Sequence, residues 1–116
     1  MLVAEDNERL AVMIATELAG AGYDVVVAND GYSALALAVE QHFDALLTDL
    51  LMPGLTGDAV AERARRVHPN LPVLLMTAFH GGDVLDVPWA AVIRKPFHLD
   101  ALVAALDSAT RAEQDA

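Results

Sequence analysis

Short apolar runs alternate along the chain with longer stretches in which apolar positions recur every three or four residues. The runs are Leu2–Ala4, Asp24–Ala28, Ala45–Thr48, Val73–Met76 and Ala91–Ile93. Bounded runs of this length predict buried strands. The stretches between them predict helices. Asn7 caps the first, which runs to Leu18 or Ala21, with Leu10, Met13, Ile14 and Leu18 on one apolar stripe. Gly20 and Gly22 close it. Asn29-Asp30-Gly31 turns into a second helix that reaches about Gln41, with Leu35, Ala38 and Val39 inward. Thr56 caps a third, which buries Val60, Ala64 and Val67 and turns Arg63, Arg65 and Arg66 to solvent. The last begins near Leu99 and turns Leu102, Val103 and Leu106 inward. The segment from Thr77 to Lys95 shows little periodicity, so a helix there is expected to be short or absent.

Strand and helix alternate five times, which calls for a parallel sheet with helices on both faces. Residues 1–116 read as one such α/β domain, long enough to bury a core. The first strand begins almost at residue 1, which leaves room for a missing upstream segment. Sheets of this kind bind ligands at the carboxyl ends of their strands. The polar residues at those ends are Glu5 and Asp6, then Asp49, Thr77 and Lys95. Four segments distant in the chain therefore aim three acids, a hydroxyl and an amine at one crevice. Any one of them has a plain structural explanation: Asp6 as a helix cap, Thr77 as a strand residue, Lys95 as a surface amine. Their convergence does not, and Lys95 is the only lysine in the chain.

Three clustered carboxylates repel one another and raise one another's pKa. A divalent cation resolves that conflict, and an all-oxygen donor set suits Mg²⁺, which leaves positions for water and phosphate oxygens. With a phosphate present, an amine and a hydroxyl are natural partners for its remaining oxygens. An aspartate can also attack phosphorus and form an acyl phosphate. Composition narrows the rest. The net charge of −10 argues against nucleic-acid binding. The absence of cysteine excludes disulfides and thiolate catalysis. No apolar run approaches the ~20 residues of a membrane span, and the first residues lack the basic start of a signal peptide. Ser33 and Ser108 stand in no nucleophile motif. No glycine-rich phosphate loop follows the first strand. His42, His68, His80 and His98 lack metal-ligand spacing and read as surface residues.

The set Glu5-Asp6, Asp49-Leu-Leu-Met-Pro53, Thr77-Ala78 and Lys95-Pro96-Phe97, in that order on those elements, resembles the response-regulator receiver domain of bacterial two-component signalling. The resemblance covers nearly the whole chain. It implies a flavodoxin-like fold with strand order 2-1-3-4-5 and a cis Lys95–Pro96 bond. It implies that Asp49 is the phosphoacceptor and that Thr77 and Lys95 assist it. Mg²⁺ would be held by Asp6, Asp49 and the Leu51 backbone carbonyl, with Glu5 acting through water. The implied partner is a histidine kinase or a histidine phosphotransfer domain, with at most weak homodimerisation. Such a domain catalyses its own phosphotransfer and autodephosphorylation. It works in the cytoplasm, free or as part of a membrane-anchored hybrid kinase. Two rival readings stand beside it. A phosphorylation-independent pseudo-receiver would use the same fold only to bind partners. A haloacid-dehalogenase-type phosphatase would need a second aspartate where Leu51 stands, and a cap this chain has no room for. The sequence departs from the family in having Val92 where an aromatic usually precedes the conserved lysine, which leaves Phe79 and Trp89 as substitutes. The short segment between the fourth and fifth strands and the Leu71-Pro-Val-Leu74 approach to Thr77 resemble receivers of hybrid sensor kinases.

Overall fold

All five apolar runs form strands, and the pairing of those strands decides where the polar residues meet. The computed structural model describes residues 1–78 and 89–114. Among them the strands are β1 (Leu2–Ala4), β2 (Val26–Ala28), β3 (Leu46–Asp49), β4 (Val73–Thr77) and β5 (Ala91–Arg94). The helices are α1 (Glu8–Gly20), α2 (Gly31–Glu40), α3 (Gly57–Val67) and α4 (Leu99–Gln114). The strands make one parallel sheet of order β2-β1-β3-β4-β5, the flavodoxin-like order. Residues 79–88, where the short or absent helix was expected, lie outside the described residues, as does Phe79.

Alternation along each strand divides the core between the two faces of the sheet. Leu2, Ala4, Leu46, Val73 and Leu75 pack with Ala34, Ala38, Val60, Ala61 and Ala64 of α2 and α3. Val3, Leu47, Leu74 and Met76 pack with Ile14, Leu18, Leu102 and Leu106 of α1 and α4. The central strands β1, β3 and β4 are buried throughout. The edge strand β2 is shorter than its apolar run, and Val26 and Val27 remain exposed at the edge, where no further strand pairs among the described residues.

The helix starts follow the sequence closely. Asn7 accepts the Leu10 N–H at 3.0 Å, and Asp30 accepts the Ser33 N–H at 2.8 Å. Thr56 occupies the N-cap position of α3 but makes no side-chain cap bond. Three residues expected inside are exposed: Met13, Val39 and Val67. Each sits at the margin of its stripe. On α2 and α3 the close-packed centre is taken by the small residues Ala34, Ala38, Ala61 and Ala64 instead. Arg65 is not a solvated side chain. It donates to the Leu71 carbonyl at 2.5 Å and its guanidinium lies 5.0 Å from the centre of the Trp89 ring. His68 is half-buried, with its ring 4.3 Å from that of His42 and its Nε2 buried without a hydrogen bond. Tyr23 donates its hydroxyl to Asp107, tying the end of α1 to α4.

Candidate functional site

Strand register alone assembles the candidate site. Ala4 pairs with Thr48, so Glu5 emerges beside Asp49. Asp49 pairs with Met76, so Thr77 follows one residue further along β4. Thr77 pairs with Arg94, so Lys95 follows on β5. Asp49 and Thr77 are therefore the last residues of their strands, Glu5 and Lys95 lie one residue beyond theirs, and Asp6 and Leu51 lie two beyond. Backbone bonds extend this register past the strands: Glu5 N–H to Ala28 O at 3.0 Å, Leu50 N–H to Met76 O at 2.8 Å and Lys95 N–H to Thr77 O at 2.7 Å.

The acids meet as expected from their positions. Carboxylate oxygens of Glu5, Asp6 and Asp49 all lie within 4.8 Å of one another. Glu5 is fully buried, Asp49 is 8% exposed and Asp6 is exposed. The Lys95 ammonium bridges the two buried acids, 2.9 Å from Glu5 Oε1 and 3.0 Å from Asp49 Oδ2. The second Glu5 oxygen accepts the Asn7 N–H at 3.1 Å, and the Asn29 amide donates to the Glu5 carbonyl at 3.1 Å. Thr77 is buried at the carboxyl end of β4. The Lys95–Pro96 peptide is cis.

Charge follows burial here. Loss of water pushes the Glu5 carboxyl up to about 7. The bonds from Lys95 and the Asn7 N–H oppose that rise, and the neighbouring Asp6 and Asp49 add to it. Burial also disfavours the Lys95 charge, but the bonds to Glu5 and Asp49 outweigh it and hold Lys95 above the ordinary lysine value. The site thus carries an excess of negative charge around one ammonium. Two of its acids are withdrawn from solvent and the third opens onto it. Such a donor set fits a hard divalent cation with free positions for other oxygens.

A family model for the response regulator receiver domain matches residues 1–107. The chain belongs to the response regulator receiver family. It is 36% identical over 107 residues to the response regulator receiver protein CpdR of Brucella abortus, covering 89% of each chain. The fold resembles a receiver protein from Sinorhizobium medicae with a TM-score of 0.87 at 25% identity, covering 97% of this chain and 94% of the other. It also resembles the receiver domain of the hybrid histidine kinase CckA, with a TM-score of 0.80 at 27% identity over 94% of this chain and 96% of that one. The chain spans about half the length of several other curated relatives that it matches. Among the described residues no helix is long and apolar enough to cross a membrane.

Val92, where the resemblance implies an aromatic, and Trp89, one of its two named substitutes, both lie among the described residues. Val92 lies in β5 and is exposed. Trp89 cannot take the aromatic's place beside Thr77. It precedes β5, packs against the α2–α3 side of the core and is held there by Arg65, at the amino end of the sheet. Two contacts near the site were not legible beforehand. One is the bond from Lys95 to Glu5, because nothing in the spacing of the two residues shows how far the amine reaches. The other is the seat of the Tyr32 ring on Gly54.

Proposed function

We propose that this receiver accepts a phosphoryl group on Asp49 from a phosphohistidine of a histidine kinase or phosphotransfer domain, in a Mg²⁺-dependent reaction. The observation that carries this reading is the Asp49 carboxylate at the end of β3, beside two other acids and 3.0 Å from the only lysine. An Asp49 oxygen attacks phosphorus, the new P–O bond forms as the P–N bond breaks, and the imidazole departs with the bonding pair. Asp6, Asp49 and the Leu51 carbonyl would hold Mg²⁺, with Glu5 acting through water. When bound, the ion neutralises charge on the phosphoryl oxygens and on the acids. Lys95 leaves its bridge to Asp49 for a phosphoryl oxygen, and Glu5 keeps the ammonium near during that exchange. The Thr77 hydroxyl donates to another phosphoryl oxygen.

Residues 1–116 act in this reading as one receiver unit, within a cytoplasmic phosphorelay. The likeness to the CckA receiver and the Leu71-Pro-Val-Leu74 approach to Thr77 favour an origin in a hybrid sensor kinase. The test is phosphorylation by acetyl phosphate, followed by intact mass spectrometry with and without Mg²⁺. The wild type gains one phosphoryl group only with Mg²⁺, and Asp49→Asn gains none. Equal labelling of Asp49→Asn would overturn the reading.

A further inference from the structure

The loop between β3 and α3, residues 50–56, carries Leu51 and so presents the backbone next to Asp49. Its inner side is well fixed. Leu50 and Met52 are buried, and the Gly57 N–H closes back on Leu50 O at 2.8 Å. Further along, Leu55 packs against the core and its N–H bonds to the Pro53 carbonyl at 3.1 Å, which leaves Leu51 and Gly54 as the points least held by the loop itself. Leu51 is 57% exposed, and Gly54 adopts φ of +85°, a conformation that gives it no side chain to anchor.

The first turn of α2 supplies the missing restraint. Tyr32 is 62% exposed, so core burial does not explain its position. Its ring edge lies on Gly54, where a Cβ would come within 2.7 Å of Tyr32 Cε2 and 2.8 Å of Cδ2. One residue earlier, Gly31 packs so close to Leu55 that a Cβ would overlap the Leu55 carbonyl. Both residues are set by the Asp30 cap, whose two carboxylate oxygens accept the Ser33 N–H at 2.8 Å and the Ser33 hydroxyl at 2.9 Å. Among the described residues the Tyr32 hydroxyl makes no hydrogen bond, so the contact belongs to the ring.

We propose that Tyr32 is a positioning residue for phosphoryl transfer, its ring holding Gly54 so that the loop presents the Leu51 carbonyl beside Asp49. This rests on the reading of Asp49 as phosphoacceptor and Leu51 as a backbone metal ligand. Without the ring, the glycine regains its freedom, and ordering the loop is charged to Mg²⁺ binding. Tyr32→Ala is therefore expected to raise the Mg²⁺ concentration for half-maximal labelling by acetyl phosphate about three- to tenfold, with the rate at saturating Mg²⁺ retained. Tyr32→Phe keeps the ring and should restore the wild-type dependence.

The experiment has two arms. One titrates Mg²⁺ into wild type, Tyr32→Ala, Tyr32→Phe and Gly54→Ala, reading binding by calorimetry and labelling by mass. The other follows amide hydrogen exchange of residues 50–56 in the metal-free proteins. Faster exchange confined to that loop and weaker Mg²⁺ binding in Tyr32→Ala, with the Phe variant unchanged, support the role. Gly54→Ala, which drives a methyl into the ring, should show the same weakened binding. Unchanged Mg²⁺ affinity and exchange in Tyr32→Ala overturn it, as does a Phe variant as weak as the Ala variant. A wild type that binds no Mg²⁺ and takes no label on Asp49 overturns the functional reading instead.

Discussion

Replacing Glu5 by Gln should stabilise the metal-free domain at alkaline pH. Glu5 is fully buried, and burial pushes its carboxyl from 4.5 up to about 7. In the unfolded chain the group titrates near its ordinary value. Between those two values the folded state holds a proton that the unfolded state has lost, so stability falls as pH rises. The contribution of Glu5 is fully present below about 4.5 and gone above about 7. At about 1.4 kcal/mol for each tenfold in acidity, the loss by pH 8 is about 3 kcal/mol. That is an upper figure, because Lys95 responds to the same charge. Glutamine keeps the shape, and its carbonyl can still accept the Lys95 ammonium, which also keeps Asp49 at 3.0 Å. A gain of about 1–3 kcal/mol at pH 8 is therefore expected, shrinking towards zero near pH 4.5. Urea unfolding in EDTA across pH 4.5–8 reads it directly. A Glu5→Gln variant less stable than wild type at pH 8, or a gain that does not shrink in acid, would refute the reasoning. The Lys95 bridge would then outweigh the burial of the carboxylate.

Other outcomes test other parts of the molecule. Mg²⁺ at a hundred times its dissociation constant should stabilise the wild type by about 2.7 kcal/mol, and Asp6→Asn should lose most of that gain in urea midpoints taken with and without the ion. Lys95→Arg should be labelled by acetyl phosphate far more slowly than wild type, because a planar guanidinium cannot replace a compact ammonium between Glu5 and Asp49; a wild-type rate would contradict this. Tyr23→Phe should cost about 1–2 kcal/mol through loss of the bond to Asp107. Burial foremost, with Asp107, raises the Tyr23 hydroxyl to about 12, so this contribution is complete below pH 10 and lost as pH rises through about 12; ultraviolet titration of wild type against the variant checks it. Trp89 should change its fluorescence little when beryllofluoride and Mg²⁺ are added, because Arg65 holds it at the amino end of the sheet; a large emission shift would show that the far end takes part in the switch.

The sheet and the site were legible for the same reason. Apolar runs that end at Asp49 or Thr77 mark a strand and its carboxyl end together, and a parallel sheet brings such ends to one edge. Asn7 and Asp30 were legible as caps because short polar side chains before a helix have one dominant use. Where the reading slipped, packing had decided between equivalent residues. Met13, Val39 and Val67 carry the right period, yet Ile14 and Leu18 fill the buried face of α1 and small alanines that of α2 and α3, and the three larger residues stay outside. Arg65 and His68 were read as surface because nothing local announces Trp89 or His42 across the chain. Tyr32 carried no signal either, since its partner is a glycine without a side chain.

The claim that Asp49 is the phosphoacceptor has a direct chemical test. Treat the protein with acetyl phosphate and Mg²⁺, reduce it with borohydride, and sequence the peptides by mass spectrometry. Borohydride cleaves an aspartyl phosphate to homoserine and leaves a free carboxylate untouched. Homoserine at position 49, formed only with Mg²⁺ and absent from the Asp6→Asn protein, is the expected result. Homoserine at position 6 or at any other acid, or at position 49 in equal amount without the metal, would contradict it.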